Sequence, residues 1–393
     1  MRFNLKHAAL VAACAAAFPA HATNGYFLPG FGTRSQGMGG VGIAYGRDSL
    51  STAANPANAV NTGMRGDMGI AVFNPERYGS NDVRPNDASV SDFFDFSSES
   101  ISKYYLMPEM GFSMGLTEQV HVAMAVVGNG GMNTTYTPNL FSFFNNPPPD
   151  QKLGVDMMQL LVPISVAYRA NENHTFGASL VLAETRFRSY GLDAFKAFPI
   201  LSDPDKLTGN GFDYSYGAGV KFGWLGEFMD DKLTVGLTYA SKTYMTKFDK
   251  YSSLFAEQGD FDIPENYGIG IAFKPKKNLV IAADVLRINY SDIASVGNRG
   301  PGPDPDGAAG TLSGIPAMDY GGAPCPDAAN PYCTGRDEGM GFGWESMTVY
   351  KLGVQYGVNN RLQVRAGYNY GKTPIPQDQM TFTLLVPATV EQH

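Results

Sequence analysis

The chain has few charged residues and, beyond residue 22, no long apolar run. Charged residues make up 17% of the 393 residues, against about 25% in an average soluble domain. A membrane-spanning helix needs about 20 apolar residues in a row, so a helical membrane protein is excluded. The net charge of −8 disfavours nucleic-acid binding, which requires a basic surface.

Tryptophan, cysteine and histidine are scarce too, with 2, 3 and 5 copies. Only three histidines follow residue 22, so we expect neither a metal site nor a cofactor. The chain is instead rich in glycine, tyrosine and phenylalanine, with 46, 21 and 25 copies. This composition without long apolar runs is typical of a transmembrane β-barrel.

Residues 1–22 have the pattern of a signal peptide. A basic start and an apolar centre precede the small-x-small cleavage motif Ala20-His21-Ala22. We therefore expect an exported protein of the bacterial outer membrane that begins at Thr23. A loose lipoprotein box ending at Cys14 leaves lipidation as an alternative.

Two cysteines follow the leader, Cys325 and Cys333, in a loop rich in proline and glycine. An even pair at this spacing in an exported protein favours a local disulfide. We interpret it as a staple of the loop without chemistry of its own.

Apolar and small or polar residues alternate with a period of two along most of the chain. Alternate residues of a strand face opposite sides, so this pattern predicts a lipid-facing wall with aromatic girdles and a polar lumen. A soluble sandwich is the alternative, but its strands are usually only about 5–6 residues long. The apolar parity of 212–224 consists of Phe212, Tyr214, Tyr216, Ala218, Val220, Phe222 and Trp224.

The alternation predicts eleven antiparallel strands. Short connections alternate with long ones, as periplasmic turns alternate with extracellular loops in such barrels. The strands are predicted at about 66–75, 104–116, 119–128, 154–169, 174–189, 212–225, 231–244, 260–273, 278–290, 345–357 and 361–371.

Eleven is an odd number, whereas bacterial single-chain barrels have an even number of strands. The chain ends in His393 rather than in an aromatic residue. We therefore expect residues 61–393 to form a barrel whose last strands are missing from this sequence. Residues 23–60 are rich in glycine and turns, and are expected to plug the barrel from inside.

Three stretches resemble the FadL family of outer-membrane long-chain fatty acid transporters, which also includes aromatic-hydrocarbon channels. One is Gly37-Met38-Gly39-Gly40 followed by Asn55-Pro56-Ala57, and the next is Gly128-Asn129-Gly130-Gly131. The last runs from Arg365 to Pro376, with Val386-Pro387-Ala388 and Glu391-Gln392-His393 beyond it.

This resemblance implies a fourteen-stranded barrel with an N-terminal hatch, of which about eleven strands are present. It places the hatch motif on Asn55, Pro56 and Ala57. It also places a lateral opening, at a kink ending the third strand, on Gly128, Asn129, Gly130 and Gly131. Valine at Gly130 and Gly131 is then expected to straighten the wall and lower uptake. An ordinary loop start is the alternative for this glycine run.

Apolar side chains in two predicted loops are candidates for capturing substrate, because exposed apolar patches mark binding or membrane contact. Loop packing that closes the barrel mouth is the alternative. The candidates are Leu140, Phe141, Phe143 and Phe144 in one loop, and Phe195, Phe198, Ile200 and Leu201 in the other.

A fatty-acid carboxylate would require arginine or lysine. Four cations are predicted to face the lumen: Arg186, Arg188, Lys351 and Arg365. Ion pairs that merely fill the lumen are the alternative.

An enzymatic function is suggested by Gly111-Phe112-Ser113-Met114-Gly115, which fits the G-x-S-x-G motif of serine hydrolases. That motif requires a strand–turn–helix context, whereas here it lies within a strand. Ser113 and His121 are expected to face the same side of two adjacent predicted strands, where a barrel lipase has its nucleophile and base. We nevertheless predict a protein without enzymatic activity.

The predicted function is passive uptake of long-chain fatty acids or similar hydrophobic molecules by a monomer. The partners are these molecules and outer-membrane lipid, with no nucleic acid. Uptake of aromatic hydrocarbons is the main alternative. The predicted plug argues against a general porin, and only the 291–344 loop supports an adhesin.

Overall fold

The structure is a computed structural model that describes residues 23–81, 96–137, 139, 151–300, 325, 330–379 and 385–386. The predicted signal peptide lies outside these residues. Across the described residues, no helix has both the length and the apolar character needed to cross a membrane.

One large antiparallel sheet dominates the fold. The strands are β1 (Arg65–Phe73), β2 (Tyr78–Asn81), β3 (Phe96–Glu99), β4 (Tyr105–Gly115), β5 (Val120–Tyr136), β6 (Leu153–Arg169), β7 (His174–Tyr190), β8 (Asp213–Phe228), β9 (Leu233–Ala240), β10 (Tyr244–Met245), β11 (Asn266–Lys276), β12 (Leu279–Ile288), β13 (Met347–Asn359) and β14 (Leu362–Gly371). In the sheet, neighbouring strands follow chain order from β1 to β4 through β9, and then from β11 to β14. β10 pairs with β8, and β2 pairs with β3 in a separate hairpin.

Helices in the described residues are short and lie outside the sheet. They are Gly32–Gln36, Ser49–Ala53, Pro56–Asn61, Asp193–Ala197, Pro204–Lys206, Asp249–Tyr251, Ala256–Gly259, Tyr290–Asp292, Ala294–Gly297 and Gln377–Gln379.

Each predicted strand corresponds to a strand of the main sheet, but several boundaries were wrong, and β9 ends at Ala240 rather than at residue 244. The two largest differences concern β5 and β11. β5 continues to Tyr136 instead of ending at Gly128, because a bulge between Gly128 and Gly130 lets the pairing with β6 resume. β11 starts at Asn266 rather than at residue 260, because the preceding residues turn back toward β10. There the Asp262 carboxylate accepts a hydrogen bond from the backbone of Met245 at 2.7 Å.

The two faces of the sheet differ sharply, as the period of two predicts. On β7 the outward face presents Phe176, Leu180 and Leu182, which are 51%, 48% and 41% exposed. The inner face of the same strand presents Thr175 and Ser179, which are buried. An apolar face of this extent is typical of a surface that contacts lipid.

Residues 23–62, called the N-terminal segment below, cover the inner face of the sheet. Their short helices contact β4 to β8. Leu50 and Ala57 are buried in this contact, and Met38 is buried where the segment approaches Gly353 of β13 and Gly367 of β14. The segment is irregular, so its backbone donors and acceptors need partners from outside its own helices.

Candidate functional site

Charged side chains on the inner face of the sheet hold the N-terminal segment. The Asp284 carboxylate on β12 accepts hydrogen bonds from the backbone N–H groups of Gly42 and Ile43 at 2.8 and 3.1 Å. Glu109 on β4 accepts one from the N–H of Gly32 at 3.0 Å. These carboxylates satisfy donors that the irregular backbone cannot satisfy itself.

Two buried lysines, which carry the opposite charge, also hold the N-terminal segment. Lys221 on β8 donates to the carbonyl oxygen of Ala53 at 2.6 Å. Lys351 on β13 donates to the carbonyl oxygens of Pro29 at 2.7 Å and Gly40 at 3.2 Å. Since Lys351 pairs with Asp284 across the ladder, one cross-strand pair binds both donors and acceptors of the segment.

The predicted hatch motif lies where the N-terminal segment contacts the inner face of the main sheet at β8. The Asn55 side chain accepts a hydrogen bond from the N–H of Ala57 at 3.0 Å and thereby caps the helix that Pro56 begins. Its amide nitrogen donates to the carbonyl oxygen of Ile43 at 2.8 Å. A side chain at Gly223 of β8 would collide with Asn55, so the wall and the motif fit closely.

The Gly128–Gly131 run forms a bulge inside β5, and the N-terminal segment pairs with it. Leu28 N–H donates to the carbonyl oxygen of Asn129 at 2.8 Å, and Gly131 N–H donates to that of Tyr26 at 3.1 Å. A Cβ atom at Gly130 would collide with the carbonyl oxygen of Tyr26. Glycine is therefore required here for close backbone approach.

Beside this bulge, the pairing between β4 and β5 stops before either strand ends. β4 and β5 pair only from Gly115 with His121 to Met110 with Val126, although both strands continue beyond. The stretch Tyr105–Glu109 of β4 thus has no partner in β5. We call the resulting gap, between this stretch and the bulge, the notch.

Aromatic rings hold the first residues of the segment beside the bulge. The Tyr26 ring lies 5.1 Å from that of Tyr290 and 6.0 Å from that of Trp344, measured between centroids. Phe27 lies 5.6 Å from Tyr290. Burial raises the pKa of the Tyr26 phenol, so this group stays neutral. The cluster fixes residues 26–28 against the wall.

A cavity of about 70 Å³ lies between the segment and the wall. Its apolar lining includes Phe27, Leu28, Leu161 and Val181, and its charged lining consists of Lys221, Lys351 and Asp284. An apolar cavity of about 150 Å³ accommodates one benzene molecule. A larger hydrophobic ligand would therefore fit here only if the N-terminal segment moved.

Of the predicted cations, only Lys351 lines this cavity. Arg365 lies on the inner face of β14 but donates to the side-chain oxygens of Gln355 and Gln363 at 2.8 and 2.6 Å.

The prediction that Arg186 and Arg188 face the lumen is wrong. They share the outward parity of Phe176 and Leu182, and both pair with Asp156, at 3.4 and 3.2 Å. Arg186 is ten residues beyond Phe176, or about 25 Å in height at 3.3 Å per residue and a 40° tilt. That equals the apolar band of membrane barrels, so these charges lie at its edge.

The predicted capture loops are only partly described. Leu140, Phe141, Phe143 and Phe144 lie outside the described residues. Ile200 and Leu201 are each 3% exposed, so the prediction that they form an exposed patch is wrong. Phe195 and Phe198 are partly buried against the same core, with ring centroids 5.6 Å apart.

Ser113 and His121 do not form a nucleophile–base pair in the structure. Ser113 pairs with Ala123 across the ladder, while His121 pairs with Gly115. The Ser113 hydroxyl donates to the carbonyl oxygen of Gly63 at 2.9 Å. The hydroxyl is therefore a structural donor at the start of β1.

Cys325 and Cys333 form a disulfide in the structure. The backbone N–H groups of Cys325 and Thr334 donate to the carbonyl oxygens of Pro199 and Ile200, each at 3.0 Å.

Replacing both cysteines with serine is expected to leave uptake unchanged. The closed loop is short, so the free energy of unfolding should fall by only about 2–3 kcal/mol. Uptake of a hydrophobic probe and thermal unfolding, measured on the same preparation, check this. Loss of uptake in a folded double variant would show that the loop takes part in transport.

Sequence reasoning missed Glu109, Asp284 and Lys221. Each is a charged residue on the inward-facing side of a strand whose other residues are mostly apolar or small. This pattern could have identified them from the sequence. Lys351 was found by that criterion, but its cross-strand partner Asp284 was not considered.

An apolar outward face, a polar inner face and an internal segment held by buried charges are typical of outer-membrane transport proteins. A family model described as "Outer membrane protein transport protein (OMPP1/FadL/TodX)" matches residues 20–389, and the chain belongs to this family. The resemblance found in the sequence is thereby confirmed. Comparison with curated proteins finds no match.

Solved structures with this fold include toluene transporters. TodX of Pseudomonas putida has 19% identity and a TM-score of 0.59, over 91% of this chain and 88% of TodX. TbuX of Ralstonia pickettii has 17% identity and a TM-score of 0.58, over 88% and 87%. A FadL homologue of Pseudomonas aeruginosa has 15% identity and a TM-score of 0.54, over 90% and 82%. At these identities the likeness concerns the fold.

Proposed function

We propose that this protein is an outer-membrane channel for passive uptake of long-chain fatty acids or similar hydrophobic molecules. The main sheet forms the wall of a β-barrel, and the N-terminal segment is its hatch. Substrate is captured by the outer loops and reaches the cavity beside Lys351. Movement of residues 26–28 then opens the notch, and the substrate leaves sideways into the membrane.

The pairing of the N-terminal segment with the bulge is the observation that carries this proposal. Residues 26–28 occupy the one side of β5 where the ladder to β4 has ended. Within the described part of the chain, two backbone hydrogen bonds to β5 and a group of rings hold them there. A barrier of this kind can open without breaking the ladders on either side.

Uptake of aromatic hydrocarbons is the second candidate. Two of the structures with this fold are described as toluene transporters, and Phe27 and Phe31 line the cavity. The buried lysines favour an anionic ligand instead, because a neutral hydrocarbon gains nothing from them.

Uptake into liposomes that contain the purified protein tests the proposal. Initial rates are measured for oleate and for toluene, with empty liposomes as the reference. Faster oleate entry than in empty liposomes supports the first candidate, and faster toluene entry alone supports the second. Equal rates with and without protein, for both compounds, would refute hydrophobic uptake.

A further inference from the structure

Arg77 lies beside the notch, on the chain between β1 and β2. Its guanidinium carbon is 5.8 Å from the centroid of the Phe73 ring. Phe73 pairs across the ladder with Tyr105, the first residue of the β4 stretch that lacks a partner in β5. The carbonyl oxygen of Arg77 accepts a hydrogen bond from the N–H of Ser100 at 2.8 Å, which fixes the backbone at this position.

The charge of Arg77 has no anion to balance it among the described residues. Its Nη1 atom is shielded from solvent and has no hydrogen-bond partner. Glu99, on the neighbouring hairpin, pairs with Lys103 instead. The groups that act on the guanidinium are the phenols of Tyr105 and Tyr136.

Arg77 is half-buried, and removing part of the water around a cation without supplying an anion is unfavourable. Burial lowers the pKa of Arg77, yet a guanidinium does not lose its proton in proteins. The charge therefore remains, and its desolvation must be offset by a partner. A ligand anion that reaches the notch would supply that partner.

We propose that Arg77 binds the carboxylate of a long-chain fatty acid at the notch, and that it selects acids over neutral hydrocarbons. A guanidinium binds a carboxylate in a planar, bidentate manner. The flanking Phe73 and Tyr105 rings shield this contact from water. On the outward side of β4, Leu106 and Met110 are 67% and 47% exposed and offer the acyl chain an apolar path.

This inference rests on the proposed function, and a pair of ligands separates the two. Oleate and oleyl alcohol share their tail and differ only in the charged head. Uptake of both by the full-length protein in phosphatidylcholine vesicles is compared for the wild type, Arg77→Met and Arg77→Lys. Arg361→Met is the matched control, because Arg361 is an exposed arginine in the β13–β14 turn.

Arg77→Met is expected to lower oleate uptake about tenfold, since a hydrogen bond to a charged group contributes that much. Uptake of oleyl alcohol should not change. Arg77→Lys should keep most of the oleate uptake because it keeps the charge. Arg361→Met should alter neither rate. Heat-dependent gel mobility confirms that each variant is folded.

Equal effects of Arg77→Met on both ligands would overturn the inference, because the residue would then be structural. No effect on either ligand would overturn it too. If the wild type transports neither ligand, the proposed function fails. Equilibrium binding of oleate to the detergent-solubilised protein then decides about Arg77, with about tenfold weaker binding expected for Arg77→Met.

Discussion

Replacing Gly130 with alanine is expected to raise uptake of a hydrophobic solute about thirtyfold, because two net hydrogen bonds of about 1 kcal/mol each are lost. The new Cβ atom would collide with the carbonyl oxygen of Tyr26. Residues 26–28 must then move away from the bulge. The bonds from Gly131 to Tyr26 and from Leu28 to Asn129 break together.

The matched control is Gly66→Ala, in β1. A Cβ atom there meets nothing closer than the carbonyl oxygen of Gly111, at 3.9 Å. The control introduces the same methyl group into the same sheet without contacting the N-terminal segment, so uptake should equal that of the wild type. Equal uptake by both variants would contradict the role given to residues 26–28.

This expectation reverses the one drawn from the sequence. From the glycine run alone, a larger side chain was expected to fill a gap in the wall and lower uptake. The structure shows that the space beside Gly130 is occupied by the N-terminal segment, so the larger side chain displaces the barrier instead.

Replacing Asp284 with alanine is expected to release the middle of the N-terminal segment. The N–H groups of Gly42 and Ile43 would lose their acceptor, and Lys351 would lose the opposite charge beside it. Each buried donor left unsatisfied costs about 1–3 kcal/mol. Local opening of the segment should therefore become at least about tenfold more frequent.

A cysteine introduced at Ser51, which is 4% exposed, reports this opening. A membrane-impermeant thiol reagent added from outside should label it slowly in the otherwise native protein and at least about tenfold faster with Asp284→Ala. Asp292→Ala, an exposed carboxylate beyond β12, removes the same charge and should not change labelling. If both variants were labelled at the same rate, Asp284 would not anchor the segment.

The sheet could be predicted from the sequence because its two faces differ so strongly. Phe176 and Leu182 on one parity of β7, against Thr175 and Ser179 on the other, specify a strand without reference to its neighbours. The end of the third predicted strand could not be predicted at Gly128–Gly131, because a glycine run fits a loop and a bulge equally well.

The candidate site was harder to predict because it depends on register. Asp284 and Lys351 are brought together only by the pairing of β12 with β13, across a connection of more than fifty residues. Arg186 and Arg188 were assigned to the wrong face because charge alone was assumed to exclude lipid contact. Their height along β7, at the edge of the apolar band, removes that constraint.

The central claim is that residues 26–28 must leave the bulge before a substrate can pass. A disulfide between Leu28→Cys and Gly128→Cys tests it, since the Cδ1 atom of Leu28 lies 3.7 Å from a Cβ atom at Gly128 and the two positions therefore face each other. We expect the oxidised double variant to take up no oleate, and reductant to restore uptake. Each single variant and the wild type should transport oleate with or without reductant. Oleate uptake at the wild-type rate by fully cross-linked protein would contradict the account.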